Sequence, residues 1–531
     1  SAIANIVLGY TPGFAQRGAQ SYNFLRSNKE IAFFVHDDWK ATPTLTLNLG
    51  MRYDMYTAPT ERFDAQYNFD PAAGRLVRAG GASGLGRDLA NTDRNNFAPR
   101  VGFAWSGLRD DRRMVVRGGY GVVYTPDVSG QLPLAFNAPT SSAYNCTLQG
   151  GTGAYNCSQL TTAVSLDTGL PIPTTSSTFA DSFVPDPSQR IFYVDPNNKT
   201  SFYHQYNLTL QYEFVRNFLF DVAYVGSAGR NLLRVQNIGQ SLTAGPGSRE
   251  VPGIQEVVTT RFNGSSRFDA FQAKVERRFT RGFSMLSSYT WAHGLDDTPG
   301  GFAGQSLGPS RYGPQNPLRP ELDRGNSDLD IRHLFRFENV LELPFGRGRR
   351  FASDAPRGVD LVIGGWQWNN NITVSSGPVY SVVIGGQRPD LIGDPTPTAA
   401  QRARGLEFNP DAFSFPVTPI YGGAPCSRTT SSGSERCFGN LGRNTFRGQA
   451  MEFWDSSIFK NIPVPAISED FRVQLRVQAY NVLNHINRFV PNRDVNFSIQ
   501  NGVRAYNDVN VGRDTALQNP RQLEFSIKLL F

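Results

Sequence analysis

The sequence predicts an all-β protein, a transmembrane antiparallel β-barrel with short periplasmic turns and long extracellular loops. Three observations favour this fold class: strands with strict apolar–polar alternation, connections that alternate in length, and an aromatic residue at the end of the last strand. In residues 521–531 the alternating apolar positions are Leu523, Phe525, Ile527, Leu529 and Phe531. Such alternation gives a strand one apolar and one polar face, which suits a strand that separates lipid from a hydrated lumen.

The same alternation recurs in residues 44–55, 203–214 and 471–479. Each segment is about 9–12 residues long, the length that a tilted strand needs to cross a bilayer. The polar faces carry Arg, Gln, Glu and Asn, which suit a hydrated interior. The alternative is a large soluble β-sandwich or propeller, but strands in those folds have about 5–6 residues.

Thirteen segments are predicted as strands, and their connections alternate between short turns and long loops. Thirteen is odd, whereas a closed bacterial barrel has an even number of strands. Either a fourteenth strand within residues 1–28 closes a small barrel, or the chain is the C-terminal part of a larger one. We therefore divide the chain into a leading segment, 1–28, which either supplies this strand or belongs to an upstream strand or loop, and a partial barrel, 29–531. The predicted strands are 29–39, 44–55, 96–106, 113–124, 203–214, 217–226, 268–279, 282–294, 330–344, 364–376, 450–460, 471–484 and 521–531.

Composition fits this fold class. Aromatic residues make up 12% of the chain, as expected if aromatic girdles lie at both membrane interfaces. No stretch approaches 18 uninterrupted apolar residues, the length typical of a transmembrane helix. The net charge of +7 is spread along the chain without a basic run, so we predict no nucleic-acid partner.

Four cysteines form two local pairs, Cys146 with Cys157 and Cys426 with Cys437, in loop-like stretches rich in Ser, Thr and Gly. Their proximity favours two disulfides that staple extracellular loops, and hence an oxidising compartment. Four free thiols are the alternative. The chain has no Cys-x-x-Cys, no His-Glu-x-x-His and no phosphate-binding loop, so we predict no enzyme activity, no metal site and no cofactor. Asp296 and Asp297 are expected to be solvated and not to bind calcium.

Six charged residues should face the lumen if the predicted register holds. They either contact a plug or a polar solute, or simply keep a wide lumen hydrated. The six are Arg52, Arg100, Arg117, Glu213, Arg472 and Arg476.

From about residue 29 onward, the chain resembles the barrel of Oar-like TonB-dependent receptors. Each motif alone is weak, but together they occur in order and at matching spacing. The motifs are AFFVHDDW (32–39), LTLNLGMRY (45–53), NFAPRVGFAW (96–105), RGGYG (117–121), AYVGS (223–227), SYTW (288–291), DIRH (330–333) and QAYNVLNH (478–485).

The resemblance implies a 22-stranded outer-membrane barrel filled by an N-terminal plug domain, with a TonB box that contacts the energising complex. Oar-like members often carry a carboxypeptidase-regulatory-like domain ahead of the plug. None of these N-terminal parts is recognised in the sequence, so we expect the chain to cover about 13–14 of the 22 strands.

The predicted function is TonB-dependent uptake of a bulky solute across the bacterial outer membrane, with the ligand captured by extracellular loops. Expected partners are outer-membrane lipid, the TonB complex through the missing N-terminal regions, an unknown extracellular ligand, and the barrel-assembly machinery. Phe531 is the candidate assembly signal. The loop composition fits a carbohydrate, a peptide or a metal chelate equally well. The alternatives are a passive plugless porin or adhesin-like barrel, and a secreted soluble β-protein.

Overall fold

A computed structural model describes most of the chain. The described residues are 14–20, 24–80, 86–108, 113–126, 134, 137, 141–148, 155–157, 179–185, 190–237, 256–298, 315–316, 319–385, 387–419, 425–429, 437–465, 467–468, 471–514 and 520–531.

The main sheet has 15 described strands, of which thirteen antiparallel strands pair with their neighbours in chain order and two short ones, Arg190–Val194 and Gly325–Asn326, pair off this path. All thirteen predicted strands are present, and the predicted fold class is confirmed. The strands are β1 (Glu30–Thr42), β2 (Leu45–Tyr56), β3 (Asn96–Trp105), β4 (Met114–Thr125), β5 (Ser201–Val215), β6 (Phe218–Asn237), β7 (Glu256–Thr280), β8 (Phe283–Asp296), β9 (His333–Glu342), β10 (Trp366–Ser375), β11 (Met451–Pro463), β12 (Arg472–Tyr480) and β13 (Gln522–Leu530).

Connections differ between the two ends of the sheet. At the turn end the shortest links are residues 43–44, 216–217 and 281–282. Arg281 and Gly282 both have positive φ, 51° and 78°, as required of the central residues of a two-residue type I′ hairpin turn. At the opposite end, which we call the loop end, every connection is long. These loop-end connections are 57–95, 126–200, 238–255, 297–332, 376–450 and 481–521.

The sheet has two chemically distinct faces. Residues directly opposite each other on neighbouring antiparallel strands point to the same side, so the register carries each face across all thirteen strands. The apolar face includes Val35, Leu208, Trp291 and Phe525, whose exposures are 68%, 52%, 55% and 72%. A soluble monomer rarely exposes a continuous apolar surface of this extent. We call the other side the polar face.

Strands β6 and β7 run well past their predicted ends at 226 and 268. Beyond a bulge after Gly229, residues 232–237 continue to pair with 258–264, and Arg190–Val194 pairs in parallel with β7. The prediction of these two ends was wrong because this extension is rich in Gly, Ser, Thr and Asn and lacks apolar alternation.

The outer edges of β1 and β13 have no partner strand among the described residues. Strand β13 pairs with β12 alone. Phe14–Gln20 does form a strand, but it pairs with Ser141–Leu148 in a separate small sheet. Within the described part of the chain, residues 1–28 therefore do not supply the fourteenth strand that would close a small barrel.

Among the described residues, helices are few and short. In this part of the chain the connections hold two α-helices, Arg357–Ile363 and Ala399–Ala403, and two 3₁₀ turns, Pro320–Asp323 and Pro410–Ala412. None of the helices in the described ranges has the length and apolar character needed to span a membrane.

The remaining strands are short and lie outside the thirteen-strand order. They are Arg26–Ser27, Thr60–Glu61, Tyr67–Asp70, Arg75–Arg78, Tyr155–Cys157, Ser182–Phe183, Gly325–Asn326, Val379–Tyr380, Asp390–Leu391, Phe413–Ser414, Thr418–Pro419, Cys437–Phe438, Phe446–Arg447, Phe497–Gln500 and Val503–Tyr506.

Candidate functional site

The polar face is lined by charged and amide side chains. Near one edge of the sheet, Asn48 on β2 donates to Asp38 on β1 at 2.5 Å, and Asp38 also bonds His36 at 2.9 Å. In the centre of the sheet, Lys274 on β7 lies 2.9 Å from Asp221 on β6 and 3.3 Å from Glu276. Sequence reasoning overlooked these groups, although Gln272, Lys274 and Glu276 alternate with apolar residues within a predicted strand.

The register places all six predicted lumen charges on the polar face. Arg100 stands opposite Gly50 and Gly121, and Arg117 stands opposite Ala104 and Thr209. The six belong to β2, β3, β4, β5 and β12 and so do not form one cluster: Arg52, Arg100, Arg117, Glu213, Arg472 and Arg476.

Several of these charges have local partners. Arg52 donates to the buried carboxylate of Asp54 at 2.8 Å. The Arg476 guanidinium lies 4.3 Å from the centre of the Phe459 ring. Glu213 accepts the backbone N–H of Asn217 at 3.1 Å, next to a turn. This lining carries charges of both signs, and these residues include no nucleophile–base pair.

The loop-end connections pack around hydrophobic cores of their own, the smallest of which joins Ala79, Leu89, Leu134 and Val194. The first loop core joins Tyr67, Phe69 and Leu76 to Ile191 and to Val257, which lies in the extension of β7. This packing explains why β7 extends so far beyond its predicted end, because the extra residues have apolar partners.

The second loop core brings together the connections 376–450 and 481–521. Its buried members are Tyr380, Val382, Ile384, Phe408, Ala412, Phe413, Phe415, Leu441, Val495, Phe497 and Val511. Several of them are aromatic, and Phe408 contacts Phe413 edge-to-face with ring centres 5.8 Å apart. Both connections were predicted only as loops, because short apolar stretches between Gly and Pro carry no periodic signal.

Buried ion pairs tie the second loop core to the ends of β8 and β9. Arg443 donates to the carboxylate of Asp296 and, at 2.9 Å, to the backbone carbonyl of Asp323. Arg388 donates to the Asp323 carboxylate at 2.5 Å, and that carboxylate is fully buried. We call Arg388, Arg443, Arg447 and their three carboxylates the arginine latch.

The third pair of the arginine latch is Arg447 with Asp330, whose atoms Nη2 and Oδ2 are 2.5 Å apart. Asp330 also accepts the backbone N–H of Gly294 at 2.7 Å, so one carboxylate links β8 to the connection 376–450. Close approach of the backbones is needed here, since a Cβ on Gly325 would lie 2.4 Å from the carbonyl oxygen of Arg443.

The expectation that Asp296 and Asp297 are solvated is wrong. Both carboxylates are largely buried: Asp296 is bound by Arg443, while Asp297 lies 2.8 Å from Arg234 and accepts from Ser265. Arginines far away in the sequence supply the positive charge that neutralises them. Among the described residues, no group of three or more His, Cys, Asp and Glu side chains is arranged to hold a metal ion.

The two cysteine pairs lie at the loop end. Cys426 and Cys437 form a disulfide with a Cα–Cα distance of 6.3 Å, and Cys437 is fully buried. In the small sheet of residues 141–157, the backbone register places Cys146 directly opposite Cys157. The side chains of that second pair are outside the described part of the structure, so their disulfide stays a prediction.

One carboxylate of the second loop core has a perturbed pKa. Burial, reinforced by the nearby Asp514 carboxylate, raises the pKa of Glu407. Glu407 accepts from Gln449 at 2.6 Å, and Asp514 lies 3.0 Å from Arg488. Glu407 and Asp514 come from the two different connections that build this core.

Comparison with solved structures finds outer-membrane transporters and receptors of low sequence identity. Against the transporter YddB from Escherichia coli the TM-score is 0.47 and the identity 9%, with 95% of this chain and 45% of the other covered. Against the ferripyoverdine receptor of Pseudomonas aeruginosa the TM-score is 0.43 and the identity 10%, and the match covers 96% of this chain and 39% of the receptor. Against the siderophore receptor PiuA from Acinetobacter baumannii the TM-score is 0.41 and the identity 8%, and the match covers 94% of this chain and 43% of PiuA. The chain thus spans less than half of each of these proteins.

A comparison with curated proteins finds no match. The family model described as "Outer membrane beta barrel domain", in contrast, matches residues 1–524, nearly the whole chain. That match agrees with the exposed apolar face, the polar face and the uneven connections, and it locates the protein in the bacterial outer membrane. The chain belongs to the outer membrane beta barrel domain family.

Proposed function

We propose that the chain is the barrel part of an Oar-like TonB-dependent receptor that takes up a bulky solute. The observation that best supports this function is that a continuous polar face is combined with folded loop cores at one end of the same strands. Long connections on the outer-membrane surface are where such barrels meet extracellular ligands. A polar lumen lining then provides a path that a hydrophilic solute can follow.

The arginine latch supports a binding role for the loops. A loop that must recognise a ligand gains affinity when its conformation is already ordered before binding. Here buried ion pairs and a hydrophobic core hold the connections 376–450 and 481–521 in place. We propose that the loop end captures the solute and that no covalent chemistry takes place on it.

Energy coupling and assembly are further parts of the proposal. TonB would contact segments of the whole protein other than these thirteen strands. The barrel-assembly machinery would recognise β13 and Phe531, whose side chain is 88% exposed and whose ring lies 5.1 Å from that of Phe471. A soluble secreted protein does not fit, since the family is one of the outer membrane.

Uptake in whole cells tests the transport proposal. The whole protein would be produced in two strains, one with TonB and one without, and supplied with radiolabelled ferric chelate, hexasaccharide and hexapeptide probes. We expect one probe class to accumulate only when TonB is present. Arg443→Ala should reduce surface binding of that same probe, because it releases the loops.

Entry without TonB would contradict the proposal. A passive plugless pore would admit all three probes at rates that fall with probe size and rise linearly with concentration. Arg404→Ala, at an exposed arginine in the same connection as Arg443, is the matched control and should bind the probe as the unaltered protein does.

A further inference from the structure

A group of polar side chains lies on the apolar face, where an outer-membrane strand should meet lipid. It consists of His204 and Tyr206 on β5, Tyr224 on β6, and Arg267 and Asp269 on β7, and we call it the rim cluster. The register confirms its side: Tyr206 stands opposite Gly226, which stands opposite Asp269. His204 and Tyr206 lie near the loop end of β5, whereas Tyr224, Arg267 and Asp269 lie within the longer strands β6 and β7.

Asp269 organises the rim cluster. Its carboxylate accepts the hydroxyl of Tyr224 at 2.5 Å, the hydroxyl of Tyr206 at 3.1 Å, and Nε of Arg267 at 2.7 Å. Tyr206 reaches across the whole of β6 to do so. This reach is possible only because residue 226 is glycine, since a Cβ there would lie 2.0 Å from the Tyr206 ring.

The arginine of the rim cluster remains accessible. The Arg267 side chain is 59% exposed, and only its Nε is used by Asp269. Across the strands Arg267 stands in register with Ala228, which stands opposite His204. In this register only the methyl group of Ala228 stands between the positions of these two side chains.

A second arginine lies one step nearer the loop end. Arg230 is exposed, and its backbone stands opposite Phe202, whose ring contacts His204 with centres 5.3 Å apart. The Arg230 guanidinium donates at 2.8 Å to the neighbouring carbonyl of Gly229. Two guanidinium groups and an imidazole thus border the same stretch of outward surface.

The rim cluster marks the limit of the apolar surface. Tyr224 is the member nearest the turn end, and its row also holds Leu208, Phe271 and Trp291, all exposed on the same face. Aromatic rings with polar tips and arginines collect at the level of lipid head groups, where one end of the side chain is apolar and the other hydrated. Continuity with the lipid-covered surface therefore favours a lipid over a protein as occupant.

We propose that the rim cluster, with Arg230, is a binding site for the phosphate-bearing head group of an outer-leaflet glycolipid. Guanidinium groups bind phosphate with paired hydrogen bonds, and basic groups beside a membrane span are typical lipid head-group sites. Asp269 and the two tyrosines hold Arg267 in position, and His204 and Arg230 add donors. This site lies on the outside of the sheet and is independent of solute transport through the lumen.

Lipid binding to the purified protein tests this assignment. The protein, in neutral detergent, would be titrated with lipid A, a glycolipid with two phosphates, and bound lipid would be counted by native mass spectrometry. Arg267→Gln should weaken lipid A binding about tenfold, as expected for losing one charge-assisted contact. Arg230→Gln should also weaken lipid A binding. This substitution disturbs no side-chain partner within the described residues.

Arg277→Gln is the matched control. Arg277 lies on the same strand and the same face but at the turn end, where its guanidinium stacks 4.7 Å from the Phe283 ring. It should bind lipid A as the unaltered protein does. Heat-modifiable electrophoretic mobility and circular dichroism would show that each variant is folded.

Three results would overturn the proposal. An equal loss in Arg277→Gln would mean that surface charge alone attracts the lipid. No loss in either Arg267→Gln or Arg230→Gln would remove the site. Equally tight, equally sensitive binding of phosphatidylglycerol would show that any lipid phosphate suffices and that the glycolipid is not the specific occupant.

Discussion

Single arginines determine how the long connections attach to the strands. Arg388, Arg443 and Arg447 each reach a carboxylate that is distant in sequence and buried. A buried charge without its partner is costly, so each pair is far more sensitive to removal of one member than an exposed pair would be. These three arginines therefore determine the arrangement of the loop-end connections and not that of the sheet.

Removal of Arg443 should release the second loop core. The Arg443 side chain is 4% exposed, and its loss leaves Asp296 buried without its cation. We expect Arg443→Ala to destabilise this core by about 3–5 kcal/mol, seen as faster hydrogen exchange in residues 376–450. Arg404→Ala should change exchange by less than about 0.5 kcal/mol. Unchanged protection in Arg443→Ala would mean that the latch contributes nothing.

Acidity should influence the same core through Glu407. Its raised pKa means that the folded protein keeps this proton to higher pH than the unfolded chain does, whose pKa is about 4.3. The stability from protonated Glu407 is therefore complete below the unfolded pKa and is lost as pH rises through the folded pKa. Glu407→Gln should remove that loss and make residues 376–450 better protected at neutral pH.

The pH test compares hydrogen exchange at acidic and neutral pH, corrected for intrinsic rates. Glu321→Gln is a suitable control because Arg319, through a hydrogen bond, lowers the pKa of that exposed carboxyl. It should not reproduce the effect of Glu407→Gln. A pH dependence that persists unchanged in Glu407→Gln would assign it to another group.

At the scale of elements, close approach across strands determines which residues the sheet accepts. Glycine on a middle strand lets an aromatic ring from one side lie flat and reach the strand beyond. Tyr206 over Gly226 is one case, and Phe103 over Gly118 is another, where a Cβ would lie 2.4 Å from the ring. These glycines look like weak strand formers in the sequence and act as packing sites in the sheet.

Alanine at residue 226 should disturb three strands at once. The new Cβ would displace the Tyr206 ring and break its bond to Asp269. We expect a loss of about 1–3 kcal/mol, typical of overpacking, measured by urea unfolding in lipid vesicles. Gly358→Ala, where a Cβ meets nothing within 4 Å, should be neutral or slightly stabilising. Equal stability of both variants would show that Tyr206 can move aside without cost.

Loss of the disulfide should affect one connection only. Cys426 and Cys437 close a short loop next to the strand pair Thr418–Pro419 and Cys437–Phe438. A loop of this size corresponds to about 3 kcal/mol by the chain-entropy estimate. Replacing both cysteines with serine should increase proteolysis within 419–437, whereas the thirteen strands keep their protection. Global unfolding of the variant would contradict this local role.

The stability of the whole molecule requires that its apolar face meets lipid and that its polar face meets water. Leu208 and Asn207 are neighbours on β5, with Leu208 on the apolar face and Asn207 on the polar face. A one-residue shift would exchange the two faces entirely. The register over thirteen strands therefore determines which side meets lipid and which side is hydrated.

Charge on the wrong face should be costly. We expect Leu208→Arg to destabilise the folded protein in vesicles by about 1–2 kcal/mol, between the costs at the interface and at the bilayer midplane, because residue 208 lies one row below Tyr206 of the rim cluster. Asn207→Arg should cost much less, since it joins a hydrated lining. The folded fraction, read from heat-modifiable mobility, compares the two. Similar losses in both variants would contradict the assignment of the faces.

The sequence by itself determined the thirteen strands, their order and the face on which each predicted charge lies. It could do so because a strand's side-chain period is two, and alternation records burial residue by residue. Only the tertiary structure decided the loop cores, the arginine latch, the rim cluster and the far ends of β6 and β7. Those features arise from contacts between residues tens to more than a hundred positions apart, and no local pattern records such contacts.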